Sequence, residues 1–295
     1  MKRLASLFAI LAAVLYAFSI PLSKLLLIEI PSTLLAGFLY LGAGIGVSLV
    51  SLFKKVTSKK ESVQEKITKK DLKYIFGMIV LDIIAPIMLL LSISSSPSSS
   101  ISLINNFEIV ATSIIALLIF KEKIEKNLWG GIILITLSSI LLSFDFKEGV
   151  TFSFGSIFAF IACLCWGLEN NCTRSLSNKN PYHIVIIKGI FSGLGSLIIG
   201  IILNEKIGDY IYAIYALSLG FVSYGLSILF YVMAQRYLGA AKTSAFYAIN
   251  PFIGSLLSFV LLKEAINYSF FIALTFMICG VFFVNRENFI LGKKE

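Results

Sequence analysis

Histidine is almost missing from this 295-residue chain, which has one, His183. Cysteine is sparse: Cys163, Cys165, Cys172 and Cys279 all lie in apolar segments, without the spacing of a zinc site. These shortages argue against metal and redox centres, and no cofactor is expected. No HExxH, Walker lysine motif or serine–histidine–aspartate set occurs, which argues against an enzyme and against ATP-driven work by this chain alone. Charge is the third shortage. Only 14% of residues are charged and 58% are hydrophobic, with a mean hydropathy of +0.92. A soluble domain is nearer a quarter charged and half apolar. A soluble fold of this length has no interior large enough for that apolar surface, so lipid must cover part of it.

What is present is a series of apolar runs of about 20 residues, the length of a membrane helix rather than of a barrel strand. Met1–Ile28 starts with Lys2 and Arg3 and then turns apolar, like a signal peptide. The run exceeds the usual h-region and ends without an A-x-A site, so a retained first helix is expected. Charge clusters and turn residues place spans at 4–28, 33–53, 72–94, 97–120, 128–144, 152–173, 183–203, 210–235, 241–262 and 267–285. The fold class predicted is all-α integral membrane, with ten transmembrane helices. The SISSSPSSS stretch (92–100) is read as a tight reversal between the third and fourth spans.

The cations orient this arrangement. With the N-terminus inside, the cytoplasmic face carries Lys2, Arg3 and the lysine-rich KKVTSKKESVQEKITKKDLK (54–73). It also carries Lys121, Lys123, Lys126, Arg174, Lys179, Lys188, Arg236, Lys242, Arg286, Lys293 and Lys294. Of 25 cationic residues, Lys24, Lys147, Lys206 and Lys263 fall on the other side. The positive-inside rule then places both termini in the cytoplasm. The net charge of +9 is assigned to topology and anionic headgroups, not to nucleic acid.

The sequence also repeats. LAAVLYAFSIPLSKL (11–25) aligns with IACLCWGLENNCTRS (161–175) at an offset of 150, so Tyr16 meets Trp166 and Lys24 meets Arg174. FKEKI (120–124) aligns with LKEAI (262–266) at 142, because the lysine-rich loop is longer than its counterpart. Two five-helix units follow, 1–144 and 145–295. Five is odd, so the second unit is inverted. Lys123 and Lys126 accordingly meet the uncharged Ala265 and Tyr268 on the opposite face. Inverted repeats suit a carrier whose halves exchange roles. In AVLYAFSIPLSK, LLIFKEK, CLCWGLENNCTRSLS and YLGAAKTSAFYAINPFIGSLLSFVLLKE, over nearly its whole length, the chain resembles the drug/metabolite transporter superfamily, specifically EamA-type proteins. The resemblance implies a central cavity lined by the third, fourth, eighth and ninth spans, with help from the first and sixth. The second unit keeps the family proline in Asn250-Pro251, whereas the first has Glu108-Ile109 there.

Charges at mid-membrane depth are expensive and mark cavities or partners. Asn105, Glu108 and Thr112 share a face of the fourth span. Their repeat counterparts are Tyr247, Asn250 and Gly254. The set is either a solute or proton site, or a hydrogen-bond cluster that joins helices. Asp82, one turn before Pro86, is either a second carboxylate near Glu108 or a cap for a proline break. Glu169 is expected to pair with Lys188 as a structural or gating ion pair, with Asn170 and Asn171 beside a wet vestibule. Tyr224, Tyr231 and Gln235 have cavity spacing, and Tyr16 and Trp166 are further lining candidates, although packing explains such aromatics equally. Lys24 and Arg174 read as interface anchors. Gly193, Gly195 and Gly200 read as close helix packing.

The function expected is secondary active transport of a small organic solute, an amino acid, metabolite or drug-like cation, by alternating access in the cell membrane. Coupling is to protons or by exchange, and the chain is a monomer or homodimer. The alternative is a membrane structural or sensory protein.

Overall fold

Residues 2–57, 65–95, 107–143, 154–262 and 268–291 are described by a computed structural model. All named elements among them are helical, and their one β pairing is an isolated bridge between Glu65 and Lys179. The helices are α1 (Lys2–Ala17), α2 (Ser19–Leu26), α3 (Ser32–Thr57), α4 (Leu72–Ser95), α5 (Phe107–Leu118), α6 (Lys126–Ser143) and α7 (Phe154–Leu176). They continue with α8 (Pro181–Ile202), α9 (Ile211–Leu219), a π-helical turn (Gly220–Leu226), α10 (Ser227–Leu238), α11 (Ala240–Tyr247), α12 (Asn250–Leu262) and α13 (Tyr268–Leu291). In lipid the backbone must satisfy its own hydrogen bonds, which is why apolar runs close into helices.

Among the described residues, five segments are long and apolar enough to cross a membrane: Arg3–Leu26, Ser32–Lys55, Lys69–Ser92, Pro181–Ile202 and Ile211–Leu238. Phe107–Leu118 and Phe271–Val284 are shorter apolar helices. Bulky side chains such as Phe53, Phe76, Ile202 and Val260 stand exposed on the outside, where lipid takes the place of a protein core.

Three segments expected as single spans are divided. The segment 4–28 breaks after Ala17, four residues before Pro21, and 241–262 breaks after Tyr247, four residues before Pro251. Proline has no N–H for the carbonyl four residues back, so both breaks sit where that bond is lost. Pro86 lies inside a continuous α4, where the same rule leaves the carbonyl of Asp82 without its helical donor. The segment 210–235 is interrupted by the π turn, and Gly239, at φ +82°, separates α10 from α11.

The helices pack in pairs: α3 on α8, α4 on α7, α6 on α13, and α1 on α10. α3 also lies along the π turn, and α5 along α7. The α3–α8 seam brings backbones into contact. A Cβ placed on Gly189 would fall 2.4 Å from Gly44 N, and one on Gly193 would fall 2.7 Å from Leu41 N. Gly195 and Gly200 instead meet side chains, Ile83 of α4 and Leu34 of α3.

Candidate functional site

Two helix pairings build the first polar layer. Gly167 lets α7 approach α5 closely, since a Cβ there would fall 2.7 Å from the Ala111 Cβ. One turn further along α7, Asn170 Nδ2 reaches Glu108 Oε1 at 2.8 Å and Thr112 Oγ1 at 3.2 Å. Asn171 Nδ2 donates to the carbonyls of Thr112 (3.0 Å) and Gly167 (2.8 Å), fixing the α5–α7 register. Gln235 on α10 donates to the Asn170 carbonyl at 2.9 Å. Glu108 is therefore held by one amide that is itself held by three helices.

The second layer is a buried ion cluster. Lys188 Nζ lies 2.8 Å from Glu169 Oε1 and 3.1 Å from Asp82 Oδ2. Tyr40 donates to Asp82 Oδ1 at 2.8 Å, and Thr173 donates to Glu169. All three charged groups are buried, Asp82 completely. Two carboxylates thus share one ammonium. Such a cluster is retained only with close pairing and extra hydrogen bonds, because several kcal/mol of solvation are lost per ion.

Aromatic rings form the third layer. Tyr16 lies 5.3 Å from Tyr224 and 5.5 Å from Tyr247, centroid to centroid. Tyr40 lies 5.3 Å from Tyr224, and Tyr231 lies 5.0 Å from Tyr247. Ser19 reaches the Tyr224 hydroxyl at 3.4 Å, and Ser227 the Tyr247 hydroxyl at 3.3 Å. These rings line, with Glu108, Trp166, Asn170, Glu169, Lys188 and Ile228, a partly open cavity with room for about 50 Å³ of water.

Glu108, Tyr16, Trp166, Tyr224, Tyr231, Tyr247, Glu169 and Lys188 therefore come together at one cavity. Thr112 stands behind Glu108, bonded to Asn170. The partners of Asp82 are Lys188 and Tyr40. Gln235 is buried and supports Asn170 instead of lining the space. Asn250 is also buried outside the lining, and its Oδ1 has no hydrogen-bond partner among the described residues. Arg174 bonds Ser177 at 2.9 Å. Asn105 lies outside the described residues.

Tyr40 was not legible as a site residue, because no polar neighbour at helical spacing marks it. Nor does the adjacent pair Asn170-Asn171 say which amide reaches Glu108. A signal for the second question was Gly167, four residues before Asn171 and three before Asn170, where two helices can approach.

The EamA-like transporter family matches this chain over residues 3–144 and again over 153–286. An uncharacterized transporter of Methanothermobacter thermautotrophicus is 25% identical over 303 residues, spanning 96% of this chain and 86% of its own length. A protein known by its crystal structure, 13% identical, shares the fold at a TM-score of 0.79 over 95% of this chain and 98% of its own. With its apolar spans and a family match over nearly its entire length, the chain is a multi-pass membrane protein that belongs to the EamA-like transporter family.

Proposed function

We propose that this protein is a secondary active transporter of a small organic solute, working by alternating access between two inverted five-helix units, 1–144 and 145–295. Both termini lie in the cytoplasm and the chain crosses the bilayer ten times. The helix pairing supports the two units. At the offsets of 150 and 142, α7 corresponds to α1–α2 and α4 to α9–α10. Exchanging the halves turns the α4–α7 pair into α10–α1, while α3–α8 and α6–α13 map onto themselves. Side chains follow the same rule. Glu169 and Asp82 share Lys188, and their counterparts Ser19 and Tyr224 are hydrogen-bonded to each other.

The observation that carries the proposal is the cavity between the units, with Tyr16, Tyr40 and Glu108 from the first and the other lining groups from the second. Glu108 is the coupling residue. A carboxyl group in low dielectric that exchanges a proton for a cationic solute avoids an unpaired buried charge in either state. The test is Glu108→Gln in reconstituted vesicles with an imposed proton gradient. Solute movement should lose its proton dependence, and full retention of that dependence would remove Glu108 from the coupling role. Cysteine placed at 108 should react with water-soluble thiol reagents, whereas protection from both sides would favour a sealed structural or sensory protein.

A further inference from the structure

We infer that the solute is an organic cation, an ammonium or quaternary ammonium ion without a carboxylate, held between Glu108 and the tyrosine wall. The inference rests on the transporter reading and narrows it, because a zwitterion or neutral metabolite would satisfy that reading equally well.

The charge distribution comes first. Among the described residues lining the cavity, Lys188 is the one cation, and it already contacts both Glu169 and Asp82. A solute carboxylate directed at Lys188 would meet two carboxylates gathered around the same nitrogen. Like charges that close oppose each other strongly in a low-dielectric site. Among the described lining residues there is therefore no cation to spare for an anion. The cavity does have an acid: Glu108, whose Oε1 accepts from Asn170, lines it. Counting Asp82, Glu169 and Glu108 against Lys188, acids exceed bases by two.

The wall comes second. Tyr40, Tyr224, Tyr16, Tyr247 and Tyr231 form a continuous series of ring contacts at 5.0–5.5 Å, mostly edge-on or tilted. Each edge-to-face contact takes up one face of one ring and leaves that ring's other face outside the contact, and the face of an aromatic ring is its negative region. A positive group near several such faces is attracted without a hydrogen bond, which is how quaternary ammonium ions are recognised. Hydroxyl-rich neutral solutes need many directed donors and acceptors instead. Here several lining hydroxyls are already engaged, Tyr40 with Asp82, Tyr224 with Ser19 and Tyr247 with Ser227.

The test uses the purified full-length protein and four probes, three of them matched in shape. Choline and benzyltrimethylammonium are cations, glycine betaine is the zwitterion and 3,3-dimethylbutan-1-ol the neutral analogue. The two cations should raise the melting temperature, while betaine and the alcohol should leave it unchanged. Glu108→Gln should abolish the rise. Tyr247→Leu should weaken cation binding about tenfold and Tyr247→Phe should preserve it, since the ring face and not the hydroxyl is used. A rise with betaine or the alcohol equal to that with choline, or no rise with either cation, would overturn the inference. Uptake of labelled probes into vesicles separates this from the transporter reading. A cation that binds and is not moved sinks transport and leaves the cation site standing. Movement of betaine in place of choline does the reverse.

Discussion

Asn170 Nδ2 donates to both Glu108 and Thr112, and Gln235 donates to the Asn170 carbonyl. Asn170→Ala should therefore act on both the fold and the site. A hydrogen bond to a charged group contributes about 1.5–3 kcal/mol to stability, so the melting temperature should fall, and the half-saturating solute concentration should rise because Glu108 is no longer held in place. Lys188 bears more on the fold. Lys188→Met leaves Asp82 and Glu169 buried without a counter-charge, and breaking such a pair costs about 3–5 kcal/mol. Its melting temperature in detergent should fall sharply, and adding Glu169→Gln and Asp82→Asn should recover much of the loss. At this scale the Glu169–Lys188 pairing was legible, since the two lie at similar depth in consecutive spans. The share of Asp82 in it was not. Its helix is distant in sequence, and Pro86 offered a local explanation for the same carboxylate.

Prolines decided where the elements break. Pro21 and Pro251 each end a helix four residues earlier, inside runs whose apolar length by itself points to single spans. The π turn at Gly220–Leu226 was not visible, because one extra residue in a helical turn leaves the apolar pattern of a lipid-facing run unchanged. Yet it carries Tyr224 into the cavity wall. The ends of the elements are tied across the chain. Glu122, from FKEKI, accepts from Ala240 N at 3.1 Å and caps α11. Glu122→Ala should lower stability by about 1 kcal/mol, seen as a small drop in melting temperature. Gly189→Ala is the stronger perturbation. Its Cβ would fall 2.4 Å from Gly44 N, and overpacking of that kind costs about 1–3 kcal/mol. The variant should melt lower, and an added Gly44→Ala should make it worse, because the two positions share one contact.

For the whole molecule, composition and run length were enough to read helices in lipid. Orientation rests on charge alone and has a direct check. A single cysteine introduced at Lys69 should be labelled by an impermeant reagent in inside-out vesicles and protected in intact cells. Labelling in intact cells would reverse the topology. Lys179 closes the same face, bonded to Glu65 at 3.2 Å and Asp71 at 3.3 Å, so the loop before α4 and the turn after α7 are joined there.

The seam along α3 has a mechanical consequence. Helices that interlock through side-chain ridges have preferred registers, and moving between them means lifting one ridge over another. Along α3 many of those ridges are missing. Gly44 meets Gly189, Gly42 faces the Leu217 carbonyl, and Gly220 faces that of Leu39. Side chains key the seam elsewhere, Leu197 against Gly37 and Phe221 against Gly46. A methyl group at Gly189 would add a ridge at a bare backbone contact and raise the barrier to any relative travel of α3 and α8, even where the protein still folds.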